Sequence, residues 1–484
     1  MLYLVLGGLG LLSIAAFLTR WQTLLYGLVA FTPFAGMLIL WSKQDPLFLL
    51  AKDILYVLPV LLAVFLLRPQ VLQRAPIAPW LTLTLLLLAL VVLLQCLNPG
   101  VINLSMALIG MKVWLLYIPL AYVVAGAMET RRDVVLLLRV IVAVAPIPCI
   151  IGLLQWGLSE NIGYREVMTD FYGDAARGAT QNFTQFDLGG NLRRIPATFS
   201  NAPGYFVYTL VVVAAALALQ ALDPKRAWRI FARMVVILAF FAAFLSGMRA
   251  AFVFMPLLIL IYSLLSGRLG GAVGGVLLVG ALTGGFIYIT GFNADEMVTG
   301  VSEHTARYES SDFAWTQFSY ALEWSPLGHG TGTNTVSARY GADAAPQTGP
   351  DASLGSFEVQ WAKVVHELGL FGLVPFVMIV GGLTWRAVGG TVRMRDYDLR
   401  RAHGALGAFL LIIFIYFFKA WVIDVDPGNV FFWIFVGLLY RLAALDRATA
   451  PAPALARVAA TRLRPTRGRV RLAPQLGPQR PRIG

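Results

Sequence analysis

The chain alternates long apolar runs with short polar breaks. Runs of roughly 18 residues or more recur near 2–18, 22–40, 50–67, 78–96, 104–126, 134–157, 204–222, 230–246, 250–266, 271–291, 361–384, 405–422 and 429–445. Each is long enough to cross a hydrocarbon core of ~30 Å as a helix, which satisfies its own backbone hydrogen bonds. The runs are continuous, not alternating, and this argues against a β-barrel. The pattern predicts an all-α fold, a polytopic transmembrane helical bundle of about 12–13 spans. Two longer polar segments, near 158–203 and 293–360, interrupt it. Loops of that length are usually functional or disordered. The second opens FNADEMVTGVSEHTARYESSDFAWTQF, where acidic and apolar residues interleave as in a helix lying on a membrane surface. No internal repeat is visible, which disfavours an inverted-repeat transporter. The expected organisation is a transmembrane domain over 1–445 and a basic, Pro/Arg-rich, disordered cytoplasmic tail over 446–484.

Composition agrees and excludes a soluble domain. Apolar residues make up 58% and charged residues 13%, against about a quarter charged in soluble domains. A net charge of +13 would suggest a nucleic-acid partner in a soluble protein. Here the excess lies in short loops and the tail, so the positive-inside bias accounts for it and no nucleic acid is implied. Arg68 and Arg74 share one loop, Arg131 and Arg132 a second, and Lys225, Arg226 and Arg229 a third. Arg386, Arg393, Arg395, Arg400 and Arg401 crowd a fourth. All four fall on one side if the spans alternate, and that side is assigned to the cytoplasm. The tail falls there too, where it can touch anionic membrane lipids. Cys96 and Cys149 sit inside apolar runs and read as small core residues, without a disulfide framework or metal site. The N-terminus lacks the basic region and cleavage site of a signal peptide, so the first span is expected to stay in the mature protein.

Four stretches could carry chemistry, all at the outward face. They are NLRRIPATFSNAPGYF (191–206), FLSGMRAAF (244–252), HTARYESSDFAW (304–315) leading into SPLGHGTGTNT (325–335), and SFEVQWAKVVHELGLFG (356–372). Arg193, Arg194, Arg249 and Arg307 run against the positive-inside bias. A guanidinium can hold a phosphate or diphosphate through two parallel hydrogen bonds, so outward arginines from several loops form a physical basis for a diphosphate site. No metal is required, because the guanidinium groups would neutralise a departing diphosphate. The plainer reading of each is a snorkelling or head-group residue. Lys363, His366 and Glu367 stand at the start of a span, near Glu358. Lys112 reads either as a buried functional cation or as a locally paired one. Gly328, Gly330 and Gly332 read either as a phosphate cradle or as a turn. Asp424 and Asp426 are a weak metal signal beside an Asp-Pro-Gly turn.

The order of these motifs resembles the O-antigen ligase and O-antigen polymerase superfamily of bacterial envelope proteins. Arg194 to Phe199 (RIPATF) with Ser200-Asn201-Ala202-Pro203 is similar to the family's Arg-x-x-Gly-Thr-Phe segment and nearby Asn-Pro. The Arg249 turn resembles its Ser-Arg-Gly-Ala turn. Arg307, Trp315 and Pro326-Leu327-Gly328-His329-Gly330 resemble its Arg-plus-Trp and Pro-x-x-Gly-x-Gly stretch. Glu367-Leu368-Gly369-Leu370-Phe371-Gly372 resembles its Glu-x-Gly-x-x-Gly span opening. The resemblance covers roughly residues 50 to 445. It implies a membrane-embedded glycosyltransferase-like fold, without cofactor or metal, in the bacterial inner membrane with its site facing the periplasm or exterior. The implied donor is a glycan on undecaprenyl diphosphate. The implied acceptor is a glycan or lipid-linked glycan, with polysaccharide chain-length or export proteins as partners. The family's phosphate-binding arginines carry over to Arg194, Arg249 and Arg307.

The chain departs from the family at three places. Ala197 stands at a usual Gly, and Met248 at a usual Ser. Ligases place a His-Asn pair upstream of the last motif, where this chain has Glu358-Val359. His366 is out of register with that His. A carboxylate can replace imidazole as base, so Glu358 is the expected one. This favours a polymerase or an unusual ligase over a lipid A ligase. The expected catalytic residues are Glu358, Arg249 and Arg307, with Arg193, Arg194, Lys363 and His366 binding substrate. The competing expectations are a small-solute transporter or a non-catalytic member of a polysaccharide export complex. Transport predicts charges deep in several spans, and the sequence offers few beyond Lys112 and Asp53.

Overall fold

The computed structural model describes residues 2–43, 45–173, 194–267, 313–335 and 357–449, with scattered helical positions between 275 and 288. The chain divides into a unit Met1–Arg447 and a short unit Ala448–Gly484, and the first unit carries everything below. The tail expected from 446 onward lies outside the described residues, except that the last helix runs on to Thr449. The described secondary structure is helical throughout. Its main helices are α1 (Leu2–Thr19), α2 (Gln22–Trp41), α3 (Asp53–Leu67), α4 (Pro79–Gln95), α5 (Leu104–Ala127), α6 (Arg131–Asn161) and α7 (Tyr164–Tyr172). They continue with α8 (Ala202–Leu222), α9 (Arg226–Leu245), α10 (Ala250–Leu265), α11 (Phe313–Trp324), α12 (Gln360–Arg393), α13 (Tyr397–Tyr416) and α14 (Gly428–Thr449).

Among the described residues, eight helices are long and apolar enough to cross a membrane: α2, α5, α6, α8, α9, α12, α13 and α14. The apolar stretches Leu6–Phe17 of α1, α3, α4 and α10 are shorter. The expected span 271–291 lies largely outside the described residues. The other expected spans appear as helices, with one consequential shift. The run 405–422 is apolar to its end, yet the helix starts at Tyr397 and stops at Tyr416. Asp396 caps it by accepting from the Leu399 N–H at 2.9 Å, so it begins a turn and more before the apolar run. Residues 417–427 are left as a loop.

Burial explains the layering. The apolar α8 has 89% of its span window buried, and it packs on α9 and α13. A helix that is apolar all round belongs inside a bundle. Exposed leucines such as Leu83, Leu86, Leu90 and Leu94 line one side of α4, a surface suited to lipid.

The basic loops meet at one end of the bundle. Arg74 pairs with Glu129 at 2.6 Å and Arg131 with Asp398 at 2.7 Å. Arg139 grips Asp223 through two hydrogen bonds, at 2.6 and 2.8 Å. Asp446 accepts from the N–H groups of Arg395 and Asp396. Burial pushes the Asp223 carboxyl up, but Arg139 and the Lys225 N–H outweigh it and hold the pKa below the ordinary value.

At the opposite end the backbone is irregular, and the break in α12 finds its partners in the 325–335 loop. α12 is broken at Gly369, whose φ of 68° is left-handed. The break frees the carbonyls of His366 and Glu367, which accept from the His329 N–H at 2.6 Å and the Gly330 N–H at 3.2 Å. The Leu370 N–H beyond the break donates to the Pro326 carbonyl at 2.9 Å. The same loop tops α4, whose last carbonyls lack helical partners. The Thr331 N–H donates to Gln95 O and its hydroxyl to Val92 O. Gly328, Gly330 and Gly332 all have positive φ, which lets the loop turn this tightly.

A Cβ added at Gly369 would stand 2.4 Å from the Leu327 carbonyl carbon. Gly369→Ala is expected to lower the thermal midpoint of the detergent-solubilised protein. The left-handed backbone alone costs about 1–2 kcal/mol, before the clash. An unchanged midpoint would show that the 325–335 loop does not depend on this break.

Candidate functional site

Residues 194–201 form a strap across the end opposite the basic loops. Tyr164 of α7 donates its hydroxyl to Arg194 O at 2.7 Å. The Ile195 N–H donates to Ser246 O at 3.2 Å, in the α9–α10 turn that carries Arg249. Gln155 of α6 brackets Ala197, accepting from its N–H at 3.0 Å and donating to its carbonyl at 3.2 Å. Ala197 has φ of 53°, a left-handed backbone where glycine is the easier residue. Asn201 then caps α8 by accepting from the Gly204 N–H at 2.7 Å, with Pro203 in the first turn.

The strap and the turn bring Arg194 and Arg249, both half-buried, to one place. The group that shows the convergence is Lys419, in the 417–427 loop. Its pKa is lowered from the ordinary lysine value, first by desolvation, then by the charges of Arg249 and Arg194, while Glu358 pulls it back up. Lys419 and Glu358 are both exposed. Gln317 of α11 fixes the backbone at Glu358, accepting from the Glu358 and Val359 N–H groups at 3.0 Å each. Three cations and one carboxylate thus lie near one another at this end, and a cluster with surplus positive charge suits an anion.

Beside it, Gln360 is fully buried, and its amide N and O have no hydrogen-bond partner among the described residues. Its N–H is bonded to Phe417 O, two positions from Lys419. Orphaned buried amides of this kind are uncommon away from functional sites.

Lys363 and His366 face elsewhere. Lys363 is fully buried and ion-paired with Asp424, with Glu367 at 3.7 Å and Trp421 stacked on its ammonium at 5.0 Å. Glu367 is also fully buried, accepting from Trp114 Nε1 at 2.6 Å, the Asn334 N–H at 2.9 Å and Thr335 Oγ1 at 3.1 Å. His366 is buried in an aromatic stack with His329 and Phe357, its Nδ1 3.2 Å from Ser325 Oγ. Lys363 and Glu367 tie loops together, and Lys363 has no surface for a substrate. The Gly328–Gly332 turn spends its N–H groups on protein carbonyls, so it is not a phosphate cradle.

The acidic pair is split between two lysines. Asp424 takes Lys363, and Asp426 takes Lys52. Lys52 also donates to Tyr117 at 3.0 Å, Tyr117 donates to Asp53 at 2.7 Å, and Lys112 pairs with Asp53 at 2.6 Å. Lys112 is therefore a locally paired cation.

Arg193 and Arg307 lie outside the described residues. Lys419, Gln360 and Lys52 were missed in the sequence. Lys419 and Lys52 sit inside or beside apolar runs, and the only signal was a charge where the hydropathy pattern expects none. No protein-family model matches the chain, and no characterised protein sequence does.

Removing Lys363 alone strands two buried carboxylates. Lys363→Met is expected to cost about 3–5 kcal/mol, read as a fall in thermal midpoint. Adding Asp424→Asn should recover much of the loss. Equal midpoints for the single variant and the native protein would refute the anchoring role.

Proposed function

We propose that the protein transfers a glycan from an undecaprenyl-diphosphate carrier to a hydroxyl of a second glycan or lipid-linked acceptor. The supporting observation is the charged cluster at the end opposite the basic loops, where the strap bearing Arg194 is bonded to the turn bearing Arg249 and the charges of both, and of Glu358, act on Lys419. With the basic end in the cytoplasm, the cluster faces outward, where the carrier presents its glycan.

The chemistry follows from charge. The carrier's diphosphate, anchored by its lipid chain, binds at the cluster through its surplus positive charge. As the bond from the sugar C1 to the diphosphate oxygen breaks, negative charge grows on the leaving diphosphate. The guanidinium groups and the ammonium are already in place to hold it, so little reorganisation is needed. The acceptor hydroxyl attacks C1 from the opposite face, inverting the anomeric centre, and its proton passes to Glu358. The donor's own lipid chain keeps the reaction at the membrane surface.

A transporter is the second reading. The structure has more charges in and beside the spans than the sequence suggested, with Lys52, Lys363 and Glu367 joining Lys112 and Asp53. They gather around the 417–427 and 325–335 loops, paired with one another. A transport path would string them across the bundle, so this observation favours the enzyme.

Two experiments test the proposal. Proteoliposomes given a lipid-linked oligosaccharide should elongate or transfer it. Glu358→Gln should lower that rate about a hundredfold or more, and full activity in this variant would remove Glu358 as the base. Lys419→Met should lose activity while leaving the thermal midpoint nearly unchanged, because Lys419 is exposed and exposed substitutions cost little stability. A destabilised Lys419→Met with normal activity would make Lys419 structural. In cells, gene deletion should abolish long polymer while short units remain, or leave polymer stranded on its carrier. The first outcome indicates a polymerase and the second a ligase. An unchanged glycan profile contradicts both.

A further inference from the structure

Helices α6, α8, α9 and α13 line a half-open cavity of about 1050 Å³ at the basic end, roomy by the standard of small-ligand pockets. Two carboxylates line it, and both are engaged. Asp223 is held by Arg139 through two hydrogen bonds, and Asp398 by Arg131. Arg132, Lys225, Arg229, Arg233 and Arg401 also line the cavity, and no further carboxylate among the described residues does so. The Arg401 Nε is buried and has no hydrogen-bond partner among the described residues.

The positive-inside bias explains basic loops, but it does not require them to be turned into one cavity. Nor does the cavity resemble a surface patch for soluble partners, because one wall is apolar. Val135 and Leu136 of α6 and Ala221 and Leu222 at the end of α8 complete the lining. Leu136 is 45% exposed, and Ile230, Phe231 and Met234 of α9 are exposed beside the lining arginines Arg229 and Arg233. On each helix the cations alternate with side chains suited to acyl chains. Arg132 and Leu136 are one turn apart on α6, and Arg229 and Arg233 one turn apart on α9.

We propose that this cavity binds the phosphate headgroup of an anionic phospholipid, with cations enough for two phosphates, while the acyl chains run along the exposed apolar flanks of α6 and α9. Basic pockets between membrane helices on the cytoplasmic side suit such headgroups. The inference is independent of the transfer reaction at the other end.

The test uses the full-length protein, exchanged into zwitterionic detergent and offered equal amounts of diphosphatidylglycerol, phosphatidylglycerol and phosphatidylcholine. Native mass spectrometry counts the lipid retained. Diphosphatidylglycerol should be kept over phosphatidylcholine by the unaltered protein, a comparison that needs no variant to fold. The triple variant Arg132→Gln, Arg233→Gln, Arg401→Gln should bind it about a hundredfold more weakly, at about fivefold for each cation removed. Circular dichroism checks that the variant is folded. Inorganic pyrophosphate at the same concentration should fail to displace the lipid. Equal retention of anionic and zwitterionic lipid would overturn the proposal, as would a folded triple variant that binds as well as the parent. Displacement by pyrophosphate would identify a soluble anion as the ligand and overturn the lipid assignment.

Discussion

Two buried lysines hold the 417–427 loop in place, and the position of Lys419 depends on that loop. Lys363 reaches it from the start of α12 through Asp424, and Lys52 reaches it from beside α3 through Asp426. Neither pair is cheap to bury, since taking a charge out of water costs several kcal/mol before its partner offsets it. The cost fixes geometry. Each carboxylate can be neutralised in one place only, so the loop has one position, and Lys419 is carried to the strap that bears Arg194 and the turn that bears Arg249. Burial pushes Asp424 up from the ordinary carboxylate value in spite of Lys363, while Lys52 and Lys112 hold Asp426 below it.

The second constraint is the backbone. A chain in lipid must satisfy its peptide groups internally, and irregular backbone survives only where protein covers it. The break at Gly369 and the 325–335 loop answer each other in this way, carbonyl to N–H, with the end of α4 as a third party. Glu367 completes the arrangement by collecting Trp114, Asn334 and Thr335. The Glu-x-Gly opening of α12 is thereby a structural device. The carboxylate ties down the loop, and the glycine breaks the helix where the loop arrives. The two ends of the bundle then differ in kind. One end pairs most of its carboxylates with arginines and keeps a surplus of cations in a cavity. The other buries Lys52 and Lys363 on aspartates and leaves Lys419 exposed near two arginines.

Much of this was legible in the sequence, and the failures have physical causes. Apolar runs place most helices, because length and apolarity are what a bilayer demands. The shared side of the basic loops was also readable, and contacts such as Arg131 with Asp398 gather them at one end. The end of α13 was not legible, because Phe417, Phe418 and Trp421 prolong the apolar pattern into what is a loop. That error hid Lys419 inside a supposed span. Arg194, Arg249 and Glu358 were singled out by motif and outward placement, and their charges act together on Lys419; motif reading also drew in Lys363 and His366, which sequence proximity cannot separate from Glu358. A helix turns its residues to different faces. Glu358, ahead of the first turn, is exposed, while Lys363 points into the core.

The proposed transfer places a diphosphate beside Lys419 and two arginines. Its most direct test is the titration of Lys419 by NMR on ¹³C-methylated protein, with the signal assigned through Lys419→Arg. The account predicts a pKa below the ordinary lysine value of 10.5. Undecaprenyl diphosphate should move it upward, because a bound anion favours the charged form. A Lys419 that titrates like an ordinary lysine and ignores the diphosphate would contradict it.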